Sequence, residues 1–289
     1  MAGETTTTSL NDLIHSEQIE QMILNPNRPA SVHQLICWAR DASKGGSGIY
    51  QFPRWDKVDL TSGTKTEGGD FTITEQTTSS ATATAGVVGI GRELTYEAAQ
   101  DSMKSLGDII MLNEDAGAER LTKDACALFT SATNTHNVGN AAFTLTQWGL
   151  AKAKYKALNP RGSRHAYVGS NASIKDLEAD LRTSGSAILS NPLYINGDVI
   201  KNPGQGFIGM YEGFEIYETS SCPDNDADTI STAFLVAGEL GAIGLAVWWR
   251  WMHEVRPNPG AAGNELFTSA RYGLCITNQA NLLEVISQD

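Results

Sequence analysis

The apolar positions of this chain keep no single period, and the element changes wherever the period does. Leu13, Ile14, Ile19, Ile23 and Leu24 recur at helical spacing behind a candidate N-cap at Ser9 or Asn11, and Pro26 and Pro29 stop that helix. Residues 32–40 read as a second short helix, and Lys44-Gly45-Gly46-Ser47-Gly48 as a flexible break. This opening stretch carries elements without enough apolar residues for a core, so it needs a neighbour to pack against.

From residue 49 the pattern turns extended. Ile49-Tyr50-Gln51-Phe52-Pro53 and Val58-Asp59-Leu60 lead into a turn-rich stretch with Gly63, Glu67, Gly68, Gly69 and Asp70. Phe71-Thr72-Ile73-Thr74 then alternates strictly, and residues 77–90 are all small or β-branched. Such a ribbon has little to bury, and an isolated two-stranded ribbon is marginal in water. The pattern predicts a long arm that lies on another surface.

Residues 94–131 give the clearest helix. Thr95 is its candidate N-cap, Gly107-Asp108 a possible kink, and Ile109, Leu112, Ala116, Leu121, Ala125, Leu128 and Phe129 its apolar set. At ~1.5 Å per residue it spans about 35 Å or more. A loop at 133–140 follows, then a helix from Thr146 with Trp148, Leu150, Ala151, Tyr155 and Leu158 apolar, stopped by Asn159-Pro160. A strand at 165–168 precedes a helix capped by Asn171 or Ser173 with Ile174, Leu177 and Leu181 inside. Residues 184–206 read as loop, and strands dominate afterwards, at 213–218, 232–236, 246–251, 265–273 and 273–286. The order of elements defines an α+β class.

Residues 230–251 form the most apolar window, yet Glu239 and the glycines at 238, 241 and 244 divide it. A strand, a short helix and a strand fit better than a membrane span, which needs about 20 unbroken apolar residues. The start of the chain lacks the basic and apolar regions of a signal peptide. Composition then narrows the functional classes. The formal charge of −12 over 289 residues is the opposite of a surface built to grip phosphate. Cys37, Cys126, Cys222 and Cys275 are far apart in sequence with no CxxC pair, so they read as free thiols.

Catalytic and ligand-binding patterns fail one by one. Asp224-Asn225-Asp226-Ala227-Asp228 alternates carboxylates like a calcium loop, but Thr229 replaces the required Gly and Leu235 the required Glu. Gly89-Ile90-Gly91 starts a dinucleotide fingerprint without its third glycine. No Walker loop or nucleophile elbow is present. His15, His33, His136, His165 and His253 have no metal-ligand spacing. Trp248, Trp249 and Trp251 fit two-sided burial better than a stacking platform. Arg54, Lys57, Arg161, Arg164 and Arg182 are basic positions near apolar ones and read as solvated or ion-paired. Catalytic residues, cofactors and metal ligands are therefore expected to be none.

Several segments, taken in order, carry a resemblance. Phe52-Pro53-Arg54-Trp55 followed by Lys65-Thr66-Glu67-Gly68, then the run from Leu94 to Ser102, then Gly209 to Ser220 with Pro223, then Phe234-Leu235-Val236-Ala237-Gly238 and Ala242-Ile243-Gly244, resemble the HK97-type coat protein of tailed double-stranded DNA bacteriophages. The resemblance covers residues 49 to the end; each motif alone is weak, and their order gives it specificity. It implies an N-arm (1–48), an extended E-loop hairpin (49–92), a long spine helix (93–132), a P-domain (133–183 with 262–289) and an A-domain (184–261).

The family's function implies a structural subunit, not an enzyme, that assembles with itself into hexamers and pentamers of an icosahedral shell. The implied E-loop contacts between subunits are Trp55, Lys65, Glu67, Phe71, Ile73 and Val87. The other implied partners are a separate scaffolding protein, a portal and packaged double-stranded DNA read without sequence specificity, with no membrane. The implied location is the virion capsid, assembled in the host cytoplasm. Lys65 sits where some members form a lysine–asparagine crosslink, but the matching late strand reads Glu265-Leu266-Phe267-Thr268, with Asn264 only adjacent, so no crosslink is expected. An encapsulin-type compartment shell is the alternative of the same fold, and an α+β ligand-binding protein or enzyme the alternative of another class.

Overall fold

The computed structural model describes residues 32–44, 47–55, 67, 78–97, 106–139, 141–183, 206–224 and 229–288. Two sheets and a long helix between them organise these residues. The first sheet has the order β1-β10-β11-β4 (Cys37–Asp41, Ile243–Asn258, Gly263–Ile276 and Gly86–Thr95). Its centre is the β10–β11 hairpin, paired from Ile243↔Ile276 out to Asn258↔Gly263. A 3-10 turn at Pro259–Ala261 reverses the chain, with Ala262 left-handed at φ 45°. β4 lines β11 antiparallel, and β1 lies parallel on the far edge of β10.

The second sheet has the order β5-β12-β9-β6-β8-β7 (Thr135–Asn137, Leu282–Gln288, Thr229–Val236, His165–Gly169, Phe214–Glu218 and Phe207–Tyr211). Its β9, Thr-Ile-Ser-Thr-Ala-Phe-Leu-Val, is almost uniformly buried rather than alternating, because both of its faces are covered. On one face α3 (Leu145–Ala157) and α4 (Asn171–Thr183) close an aromatic core around Phe143, Trp148, Tyr155, Tyr167, Phe214 and Phe234. Thr144 caps α3 by accepting from the Gln147 N–H.

On the other face lies α2 (Leu106–Ala127), 22 residues and so about 33 Å long at ~1.5 Å per residue. Its Leu121, Ala125 and Cys126 share one core with Ala166, Val168, Ala233 and Leu235 of the second sheet, Leu245, Ala270 and Tyr272 of the first, and Val32 and Ile36 of α1 (Val32–Ile36). The helix is thus wedged between the sheets. Gly117 permits the approach: a Cβ there would stand 2.6 Å from the Trp251 ring. The same face carries polar pins. Asn113 Nδ2 donates to Thr268 Oγ1 at 3.0 Å, His253 bonds Thr268 Oγ1 at 2.9 Å and Glu114 Oε1 at 3.1 Å, and the Tyr272 hydroxyl donates to Asp124 at 2.7 Å.

Several sequence expectations change. Residues 32–40 are a short helix followed by β1, because pairing with β10 overrides the local helical pattern. Thr95 ends β4 opposite Gly263 rather than capping the long helix, whose described part starts at Leu106. Leu112 and Ala116 face solvent, and the buried face instead runs through Ile110, Asn113, Glu114, Gly117 and Leu121. No helix separates β9 from β10, only a turn with Gly238 and Leu240 left-handed. The strand pairing also cuts across the expected A- and P-domain limits. β7, β8 and β9, from residues 184–261, share a sheet with β5, β6 and β12, whereas β10 and β11 pair across residue 262 in the other sheet. The expected helix at residues 9–24 and the loop at 184–205 lie outside the described residues.

Candidate assembly surface

The ribbon that sequence left without a support is held at its base. β2 (Ile49–Trp55) and β3 (Thr78–Thr84) pair antiparallel from Ile49↔Thr84 to Trp55↔Thr78. Phe52 anchors them. It is 1% exposed and sits in a core with Ala83, Ala246, Trp248 and Cys275, its ring 5.1 Å from Trp38 and 4.9 Å from Tyr50. Glycine makes the seat: a Cβ on Gly244 would stand 2.9 Å from the Phe52 ring, and one on Gly273 would collide with the Thr84 carbonyl. Arg54 donates to Ser79 Oγ at 2.7 Å and to Asn278 Oδ1 at 2.8 Å, and the Trp248 indole donates to the Ser47 carbonyl at 2.9 Å. The hairpin base therefore covers the outer face of the β10–β11 sheet near Gly244 and Gly273.

Farther along, that outer face is open. Thr268 and His253 point at α2, so their neighbours Phe267 and Met252 point away from it. Val87 is 64% exposed, Met252 53% and Phe267 38%. Phe267 pairs with Gly91, and its ring occupies the space a Cβ there would need. The Arg256 guanidinium lies 5.4 Å from the Phe267 centroid and pairs with Glu254 at 2.9 Å. These exposed apolar side chains, with Arg256 and Glu254 beside Phe267, make this face the candidate assembly surface.

The expected contact residues fall unevenly on this geometry. Val87 lies on the open face within β4. Trp55 closes β2, although its side chain is outside what the structure describes. Glu67 is an exposed turn residue. Lys65, Phe71 and Ile73 lie outside the described residues. Sequence reasoning names Phe52 and Arg54 but not as an anchor, and it assigns no role to Met252 or Phe267. The signal for Phe267 is the alternation of β11 opposite Gly89 and Gly91 of β4.

Groups with chemical potential are engaged in structure. Burial lowers His165, whose Nδ1 meets the Tyr155 hydroxyl at 3.0 Å. Lys152 and the Trp148 indole hold the Glu212 carboxyl below its ordinary range. Arg164 grips Glu215 through two nitrogens at 2.6 and 3.0 Å. Burial pushes the Cys37 thiol well up and Cys275 up to about 11, and the hydrogen bond with Cys126, then burial, push Cys222 well up, the inert side of thiol chemistry. Among the described residues no cluster of three His, Cys, Asp or Glu side chains is placed to hold a metal ion, and no helix is long and apolar enough to cross a membrane.

No protein-family model matches the sequence, and no curated protein matches it either. Solved structures do match. A chain of the cyanophage Pam1 capsid asymmetric unit superposes with a TM-score of 0.64 at 13% identity, covering 88% of each chain. The acidic stable capsid structure of Helicobacter pylori bacteriophage KHP30 gives 0.63 at 10% identity over 87% of each chain. The capsid of the cyanophage P-SCSP1u gives 0.60 at 14% identity over 91% of this chain and 89% of that one. The protein has a phage-capsid fold. That fold is the HK97-type coat architecture, mixed α and β, reached here at identities too low for family models to register.

Proposed function

We propose that this protein is the major capsid subunit of a tailed double-stranded DNA bacteriophage, a structural protein that assembles with itself into an icosahedral shell. The observation that carries this reading is the likeness to phage capsid chains over nearly nine tenths of both chains. The hairpin anchored at Phe52, and the open strip beside it, give that reading a physical route. Trp55, Lys65, Glu67, Phe71, Ile73 and Val87 are the proposed contacts with a neighbouring copy. Hexamers and pentamers, a separate scaffolding protein, a portal, DNA held without sequence specificity and assembly in the host cytoplasm complete the proposal. The net charge of −12 suits a lining that holds DNA loosely. The sheet containing β5 to β9 with β12 is proposed as the axial domain and the β10–β11 sheet with α2 as the peripheral one, since each has its own strand pairing.

Negative-stain images of the purified protein test the reading, alongside a deletion of residues 57–76 that spares the anchored base. The full chain is expected to form closed shells and the deletion to give a folded subunit or small oligomer. Closed shells from the deletion would remove the arm's role. A full chain that stays monomeric when expressed with its scaffold would overturn the capsid reading itself. Purified native particles carrying an enzyme in place of DNA would favour the compartment shell instead.

A further inference from the structure

Acidic and basic residues are separated along this chain in a way that the net charge of −12 conceals. Residues 125–175 hold Lys152, Lys154, Lys156, Arg161, Arg164 and Lys175 and no Asp or Glu. Residues 213–249 hold Glu215, Glu218, Asp224, Asp226, Asp228 and Glu239 and no Lys or Arg. Both stretches build the six-stranded sheet, and strand direction sends them to opposite ends of it. β6 runs parallel to β8, from Ala166↔Glu215 to Gly169↔Glu218, and antiparallel to β9, with His165 opposite Val236. The turn before β6, with Arg161 and Arg164, therefore lies at one end. The link from β8 to β9 opens after Glu218 at the other end, where Asp224 bridges to Ile230. The five residues of β8, at ~3.3 Å each, put about 15 Å between the two ends.

Pairing within the subunit leaves each end with a surplus. At the first end the Tyr155 hydroxyl meets His165 Nδ1 at 3.0 Å, so the last turn of α3 brings Lys154 and Lys156 to the same end as Arg161. Three carboxylates there are already taken, Glu212 by Lys152, Glu215 by Arg164 and Glu239 by Arg40. Lys154 donates to the Thr135 carbonyl, which leaves its charge uncompensated. Lys156 and Arg161 are exposed and have no ion pair among the described residues. The C-terminal dipole of α3 offsets only about half a charge of these three. At the second end Glu218 is held above its ordinary range by burial first and then by the like charge of Glu178. Asp224 is exposed, and the sequence adds Asp226 and Asp228 before β9 begins. Lys175 follows β6 on α4 and offsets one charge there.

We infer that these ends are the two halves of one head-to-tail contact, the basic end of one copy seating on the acidic end of the next. The inference rests on the self-assembly proposed above and adds the surfaces that meet. A heterologous contact of this kind repeats around a ring when its rotation closes, and opposite charge sets its register. A second copy suits the basic end better than nucleic acid does. Outside residues 125–175 the chain carries all 33 of its acidic residues against 15 of its 21 basic ones, a surface that repels a phosphate backbone.

Charge reversal at each end tests this, read by sedimentation velocity of the full-length subunit at low and high salt and by shell yield. Lys156→Glu/Arg161→Glu changes exposed side chains, and Arg161 is held through its backbone N–H and carbonyl by Asn281 at 2.9 and 3.2 Å, so the parent's melting temperature is expected. Asp224→Lys/Asp226→Lys reverses the other end. Each double variant is expected to weaken self-association at low salt by about tenfold or more, and high salt to weaken that of the parent. The neutral pairs Lys156→Gln/Arg161→Gln and Asp224→Asn/Asp226→Asn are expected to lose less, which separates charge from a folding defect. Joining the four reversals in one chain exchanges the two ends, keeps the net charge of −12, and is expected to restore association. A fourfold variant that folds but associates no better than the doubles overturns the inference, as does a double variant that associates like the parent. Shells of normal yield that lose DNA in the basic-end variant would give that end to nucleic acid and overturn it too. Salt-dependent association that obeys these substitutions without closed shells would keep the contact and count against the capsid reading instead.

Discussion

Glu284 lies on β12 between β5 and β9 and is buried, with the Ser231 hydroxyl donating to it at 2.7 Å. Desolvation outweighs that bond and raises its pKa above the ordinary carboxylate value. The sign follows from linkage. A carboxyl that binds its proton more tightly when folded destabilises the fold wherever it is ionised, and the penalty fades as pH falls through the raised folded value toward the unfolded one. Glu284→Gln keeps an acceptor for Ser231 and removes the charge. It should raise the melting temperature at neutral pH, with the gap to the parent closing in acid. A gap that stays constant across the pH series would show that packing, not ionisation, governs the site.

At the scale of elements, the seam between α2 and the β10–β11 sheet is the informative one. Its face is part polar: Asn113, Glu114, His253 and Thr268 bond one another in a buried row, and Gly117 lets Trp251 in beside them. Removing one member breaks hydrogen bonds within a buried polar row, which costs about 3 kcal/mol in comparable buried pairs. His253→Ala should lose about that much in denaturant unfolding of the unassembled subunit. The double variant Glu114→Gln/His253→Gln should lose less than the sum of its singles. Strict additivity would mean the two side chains do not act together.

This seam also marks how far sequence could see. The long helix was legible from its length, but its buried face was assigned through Leu112 and Ala116, which are exposed, because an apolar template cannot anticipate a face made of Asn, Glu and Gly. The strands at 214–218 and 229–236 and the helices at 145–157 and 171–183 were legible because their apolar runs are long and bounded by turn residues. β1 carries a helical local pattern because what makes it a strand is pairing with β10, some two hundred residues later. The pattern of 77–90 predicts part of one arm lying on another surface. Its first half is hairpin and its second half is a ladder with β11, and nothing local distinguishes them. At the candidate surface Val87 is expected only through the family resemblance, whereas the seat of Phe52 against Gly244 joins segments too far apart in sequence for a local pattern to show.

Over the whole molecule, the open strip and the closed core make separable demands. Val87 and Phe267 are exposed and lie outside both main cores, so charge placed there barely changes folding. Val87→Glu and Phe267→Glu should leave the melting temperature of the unassembled subunit within a few degrees while sharply reducing shell yield in sedimentation. Shells formed at the parent's yield would show that this strip faces solvent in the particle.

The wedged position of α2 has a mechanical corollary. Because one continuous core binds the helix to both sheets, a push on either sheet reaches the other only by displacing close-packed side chains, and such interiors compress little. The body of the subunit is therefore a stiff tile. Force applied at the β2–β3 seat around Phe52 is therefore passed through the body with little loss.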